Sequence, residues 1–133
     1  MIVDASAAVP WLIATPFTLA ARRLKFQPGR APSLILIETT NSLLKYFRTG
    51  QITEADIDDA IKSLSAALDE IVDNGALLHA ATKIAAANGH KIYDCLYLAL
   101  ALDRREPLAT ADKRLASLAR SLNIETQLIG PEP

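Results

Sequence analysis

The chain has 133 residues, half of them apolar and 22% charged, with five glycines and seven prolines; this suits one folded domain with its own core and excludes a disordered, collagenous or membrane-embedded chain. Fourteen Lys and Arg stand against fifteen Asp and Glu, a net charge of -1, so no global positive field advertises nucleic acid and any RNA-binding surface has to be local. The lone cysteine, Cys95, forbids an internal disulfide, the apolar run over residues 95–102 is far too short for a bilayer span, and with no leader-like start a cytoplasmic protein is expected.

In chain order, Ile2 and Val3 form a short strand that ends at Asp4. Residues 6–13 read as a short helix capped by Ser6 and disturbed at Pro10. Thr15 and Pro16 start a second helix that carries Leu19, Leu24 and Phe26 among Arg22, Arg23 and Lys25, until Pro28 and Gly29 end it. Ser33 caps a long helix stopping at Gly50; its opening LILI would also suit a strand, but the length and the stripe of Leu36, Leu43 and Phe47 favour helix. Thr53, with Asp56 three residues on, approximates a capping box for a helix over 55–68. A short strand over 70–72 and a helix over 76–88 ended by Gly89 come next. Tyr93 or Asp94 then opens a buried helix that reaches Asp103, with Cys95 as a small core hydrophobe. A strand over 107–111, an amphipathic helix over 113–122 and a strand over 126–129 precede a short tail from Gly130 to Pro133. Short apolar strands alternating with helices imply the α/β class, with right-handed crossovers and a small parallel sheet covered on both faces. No repeat, linker or low-complexity segment divides the chain, so residues 1–133 read as a single domain.

Four acids sit in apolar surroundings, where an isolated carboxylate is costly unless it is paired, hydrogen-bonded or metal-bound. Asp4 follows Ile2 and Val3, and taken alone is as well explained by an Asx turn or a helix cap. Glu38 follows four consecutive apolar residues and shares a helix face with Asn41 and Lys45, so an ion pair with Lys45 is its plain alternative. Asp94 opens the buried run, and a first-turn acid complements a helix dipole without further purpose. Asp112, just after its strand, could be a simple N-cap. A parallel sheet gathers ligands outside the carboxyl ends of its strands, where Asp4 and Asp112 would lie, and a doubly wound fold could bring all four acids to that edge. Converging carboxylates repel until they take up protons or a cation, and oxygen-only ligation suits Mg²⁺ or Mn²⁺ and phosphodiester hydrolysis. Ser6 and Thr110 place hydroxyls beside Asp4 and Asp112, fit to orient a carboxylate.

The set MIVDAS, Pro32 with LILIETTNSLL, GHKIYDCLYLALA and LATADKRL resembles, in order and over nearly the whole chain, the PIN-domain nucleases, and specifically the VapC toxins of bacterial and archaeal toxin-antitoxin pairs. The resemblance implies a PIN-like three-layer α/β/α fold with a small parallel sheet flanked by helices. It also implies a Mg²⁺- or Mn²⁺-dependent endoribonuclease acting on RNA as a toxin, a homodimer, and inhibition by a cognate VapB-like antitoxin. By position Asp4, Glu38, Asp94 and Asp112 match the family's catalytic, metal-binding acids, with Ser6, Asn41 and Thr110 at its supporting positions. Arg114 stands two residues after Asp112, where some PIN proteins carry a further acid.

Two other readings compete. A PIN-like module could hold RNA or a protein without cutting it, although intact acids argue against a decayed site. An aspartyl-phosphate phosphatase also puts an acid after its first strand, but it wants a second acid two residues on, where this chain has Ser6. His79 and His90 lack partners at zinc-ligand spacing, and His90 reads as a loop histidine. Arg22, Arg23, Lys25, Arg104 and Arg105 could grip phosphates but usually such residues face water, while Trp11 and Phe17 suit a core, a dimer or an antitoxin surface.

Overall fold

The computed structural model describes residues 1–24 and 28–131. Lys25 and Phe26 of the second expected helix, and the last two residues of the expected tail, lie outside the described residues. In chain order the elements are β1 (Ile2–Val3), α1 (Ala5–Leu12), α2 (Thr18–Leu24), β2 (Arg30–Pro32), α3 (Leu34–Arg48), α4 (Glu54–Ala67), β3 (Glu70–Val72), α5 (Asn74–Asn88), α6 (Ile92–Arg104), β4 (Leu108–Thr110), α7 (Lys113–Ser121) and β5 (Thr126–Leu128). The five strands form one sheet in the order β3-β2-β1-β4-β5, and every pairing is parallel. This is the expected α/β architecture.

The connections determine where each helix goes. From β1 the chain steps outward through β2 to β3, then returns across the sheet to β4 and continues to β5. Right-handed crossovers therefore place α1 to α4 on one face and α5 to α7 on the other. The packing agrees, since α1 touches α2, α3 and α4, whereas α5 lies along α6 and α7 covers β4 and β5. The order reverses between β1 and β4, which makes the carboxyl ends of those two strands a topological switch point.

Burial follows the apolar pattern. Ile2 and Val3 are closed off on both faces, and α6 packs against β1, β2 and β4 with every residue from Cys95 to Ala101 buried. Around them Leu98, Leu100, Leu108 and Leu115 are almost wholly inaccessible to water, and this close-packed apolar mass holds the strand ends, with Asp4 and Thr110 on them, in fixed positions.

Several expected boundaries move. Ser6 does not cap α1; Asp4 does, accepting from the Ala7 amide, while the Ser6 hydroxyl donates to Asp4. The second helix begins at Thr18, after a turn through Thr15 and Pro16, because the Thr18 hydroxyl accepts from the Thr15 amide and itself donates to the Pro10 carbonyl. β2 has no counterpart among the expected elements: a three-residue strand ending in proline looks like a lead-in, yet Pro32 is its last residue, where the missing amide costs the ladder little. With β2 already supplying the strand, LILI becomes the first turn of α3. Ser33 does sit at the N-cap of α3, but its hydroxyl accepts from the Asn74 amide while Asn74 Oδ1 accepts from Leu34, a cross-brace between α3 and α5. α5 correspondingly starts at Asn74 behind an Asp73 cap, and α6 at Ile92. The capping box of Thr53 and Asp56 forms as expected, and Gly89 ends α5 at φ 59, a left-handed conformation that glycine adopts without strain.

Candidate active site

At the carboxyl end of β1 the backbone turns directly into α1, so Asp4 is both the end of the strand and the cap of the helix. Its carboxylate is only 6% exposed, and both oxygens are occupied. Oδ1 accepts from the Ser6 hydroxyl at 2.7 Å and the Ala7 amide at 3.2 Å, and Oδ2 from the Thr110 hydroxyl at 2.8 Å. Thr110, wholly buried at the end of β4, also accepts from the Asp112 amide, and Ser6 Oγ accepts from the Ala111 amide. Ser6 and Thr110 thus tie the ends of the two switch-point strands together around one carboxylate. These bonds do not offset its desolvation: burial, aided by the nearby Glu38 charge, raises the Asp4 pKa to about 7 against its hydrogen bonds.

Glu38 reaches toward the same region from the second turn of α3. Burial raises its pKa as well, with the Asp94 carboxylate adding repulsion and a hydrogen bond from Tyr97 opposing both. That bond is short, 2.6 Å from the phenol oxygen to Oε1, and it comes from a side chain only 1% exposed in the middle of α6. Burial and the Glu38 charge hold the phenol strongly in its protonated form, so it stays a donor. Sequence reasoning misses this residue. Tyr97 disappears into an apolar run, although a buried tyrosine needs a partner for its hydroxyl, and an acid three residues earlier in the same helix hints at a polar edge. We expect Tyr97→Phe to cost about 1–2 kcal/mol of stability and to raise the Glu38 pKa further, because the carboxylate loses its donor. Denaturant unfolding and the carboxyl NMR titration of Glu38 measure the two effects; an unmoved titration would contradict the coupling.

Asp94 sits in the first turn of α6, half-buried, and its Oδ2 lies 2.7 Å from His90 Nε2. His90, expected as a plain loop histidine, is therefore this acid's partner. Asp112 is exposed and caps α7, its Oδ1 accepting from Arg114 and Leu115. The plain alternatives for both acids are thus partly correct, but the Lys45 alternative for Glu38 is not, since no such ion pair forms among the described residues. Glu38, Asp94 and Asp112 line a common cleft of about 450 Å³. Asn41 does not join them: with Ser6 it lines a second cleft of about 540 Å³ on the other side of Glu38.

Among the described residues no three His, Cys, Asp or Glu side chains stand together as a preassembled cation site. Each acid is instead held by a neighbour. In that state one oxygen each of Glu38, Asp94 and Asp112 accepts no hydrogen bond among the described residues, while the Glu38 charge makes Asp4 harder to ionise and the Asp94 charge does the same to Glu38. An all-oxygen donor set with uncompensated negative charge fits a hard divalent cation. No helix among the described residues is long and apolar enough to cross a membrane.

A family model described as PIN domain matches residues 1–121. Among solved structures the chain is similar to that described as "Crystal structure of PAE2754 from Pyrobaculum aerophilum", with a TM-score of 0.72 at 20% identity, over 94% of this chain and 81% of that one. At that identity the likeness concerns the fold. Comparison with curated protein sequences finds no match.

Proposed function

We propose, since this chain belongs to the PIN-domain family, a family of typically metal-dependent nucleases, that it is an endoribonuclease dependent on Mg²⁺ or Mn²⁺, acting as a VapC-like toxin restrained by a VapB-like antitoxin and working as a homodimer. The observation that carries the nuclease reading is Asp4: a carboxylate buried to 6% exposure, with its pKa pushed up to about 7, at the switch point of a parallel sheet. A cap alone has no need of that desolvation. The motifs LILIETTNSLL, GHKIYDCLYLALA and LATADKRL support the narrower toxin reading.

Asp4, Glu38, Asp94 and Asp112 would hold the cation. When bound, a divalent cation lowers the pKa of water and offsets charge developing on the phosphoryl oxygens. The chain's own groups prepare for that. Ser6 and Thr110 orient Asp4 through both of its oxygens. Tyr97 fixes Glu38 by Oε1, and Oε2 has no partner among the described residues. His90 fixes Asp94 by Oδ2, and Oδ1 likewise has no partner among the described residues. Asp112 turns Oδ1 to its helix and keeps Oδ2 for the cleft. Glu38, Asp94 and Asp112 are thereby each held by one oxygen, which lowers the ordering cost of engaging a ligand with the other, and Asp4 is held by both.

Purified free of any partner, the protein should cut single-stranded RNA with Mg²⁺ or Mn²⁺, stop cutting with chelator, and resume on adding the ion back. Cleavage indifferent to chelator would refute the metal dependence. RNA bound but never cut with any divalent ion would favour the non-cleaving module. Growth arrest on expression alone, relieved by co-expression of a small co-purifying protein, tests the toxin role.

A further inference from the structure

The two clefts that meet at Glu38 differ in chemistry. The larger is walled by Val9, Pro10, Pro16, Phe17 and Tyr46. The smaller holds Asp94 and Asp112 together with Lys91, Tyr93 and Arg114, and it continues into a hollow of about 330 Å³ that shares His90 and Arg114 and runs past Ser117 and Ser121. Arg114, Ser117 and Ser121 are spaced three and four apart, so they lie along one face of α7. Seven residues of helix make that face roughly 10 Å long.

Charge in this trough is left open. Lys91 and Arg114 are exposed, and among the described residues neither forms an ion pair, although three carboxylates line the same cleft. Cations that decline such neighbours keep their donors for an incoming anion. The Tyr93 ring stands at the same rim, 56% exposed, where an aromatic face gains nothing from the core. An unpaired base stacks on such a ring, a phosphate bridges to an arginine, and serine hydroxyls serve sugar or phosphate oxygens.

Resting on the nuclease reading above, we propose that the polar trough, and not the apolar cleft, carries one strand of RNA away from the acids: Arg114 and Lys91 hold its phosphates, Tyr93 stacks a base, and Ser117 and Ser121 line its path along α7. The strand is single because a base stacked between its neighbours in a duplex offers Tyr93 no free face.

Binding can be read without cleavage by fluorescence anisotropy, using Asp4→Asn protein, Mg²⁺ and a labelled, unstructured 12-nucleotide RNA across a salt series. In that background Arg114→Ala should weaken binding about tenfold and flatten the salt slope by about 0.7, the share of one single-strand phosphate. Tyr93→Ala should weaken it fivefold or more with the slope unchanged, and Tyr93→Phe should restore it. Lys62→Ala, on α4 and lining neither cleft, should bind as the parent does. Silent Arg114 and Tyr93 variants, in a background that binds RNA and with the unsubstituted protein cutting it, would overturn the trough alone, as would a slope that follows Lys45→Ala on the apolar side. Equal affinity for a duplex of the same sequence would overturn the single strand. A parent that binds no RNA would bring down the nuclease reading and the trough together.

Discussion

Asp4→Asn should slow RNA cleavage by about a thousandfold, the equivalent of roughly 4 kcal/mol of lost transition-state stabilisation, and should at the same time make the chelated protein more stable. Asparagine keeps the shape of the side chain and the bond from the Ala7 amide, and its amide can donate to Thr110 Oγ1 while the Thr110 hydroxyl turns to Ser6, 3.2 Å away. What disappears is a charge that burial disfavours. An acid raised from 3.8 to about 7 holds its proton in the folded protein across that interval, where the unfolded chain has already released it. The proton's stabilising contribution is therefore complete below the unfolded value and is lost as pH rises through about 7. At pH 8.5 the buried anion costs about 4 kcal/mol, and at pH 5.5 about 2 kcal/mol of that cost has been relieved. Urea unfolding in chelator should accordingly find the variant ahead of the parent at pH 8.5, by a margin that narrows by about 2 kcal/mol at pH 5.5. A variant less stable than the parent at both pH values, and cutting RNA as fast as the parent, would mean that Asp4 is a structural cap and nothing more.

That trade explains why the acids of the candidate site stand out in the sequence. A charged residue behind a strand of only two apolar residues is an expense the fold would avoid if capping were its sole purpose, and Ser or Asn would cap as well. Asp94 stands out for the same reason, as an acid at the head of a buried helix, whereas Asp112 is exposed and stands out only by its place just after a buried strand. The parts that escape a sequence reading are side-chain pairings across elements. Ser6 looks like a cap because local sequence offers only local partners, whereas its hydroxyl spans to Ala111 and Thr110, more than a hundred residues away. Tyr97 meets Glu38 across 59 positions, and β2 is recognisable only once β1 and β3 lie on either side of it. Asn41 keeps the place its spacing gives it: one helical turn from Glu38, it lines the apolar cleft together with Glu38 and Ser6, while Asp94 and Asp112 line the other cleft that Glu38 borders.

The capping geometry also separates the acids from one another in what they should contribute. Asp94 lies half-buried beside Glu38 and raises its pKa, so the two charges share a region where water screens poorly. Asp94→Asn can keep a hydrogen bond to His90 while removing that charge. We expect single-turnover cleavage at saturating Mn²⁺ to fall by about a thousandfold, comparable with Asp4→Asn, and the Glu38 pKa to drop as its neighbour's repulsion vanishes. Asp112 stands in open solvent with one oxygen committed to two amides of α7, a position where asparagine caps equally well. Its charge is screened by water and salt, so Asp112→Asn should leave stability unchanged and slow cleavage by only about tenfold, with much of the loss recovered at higher Mn²⁺. Losses of the same size in the two variants, neither recoverable by added ion, would place Asp112 as deeply in the reaction as Asp94, which its exposure argues against.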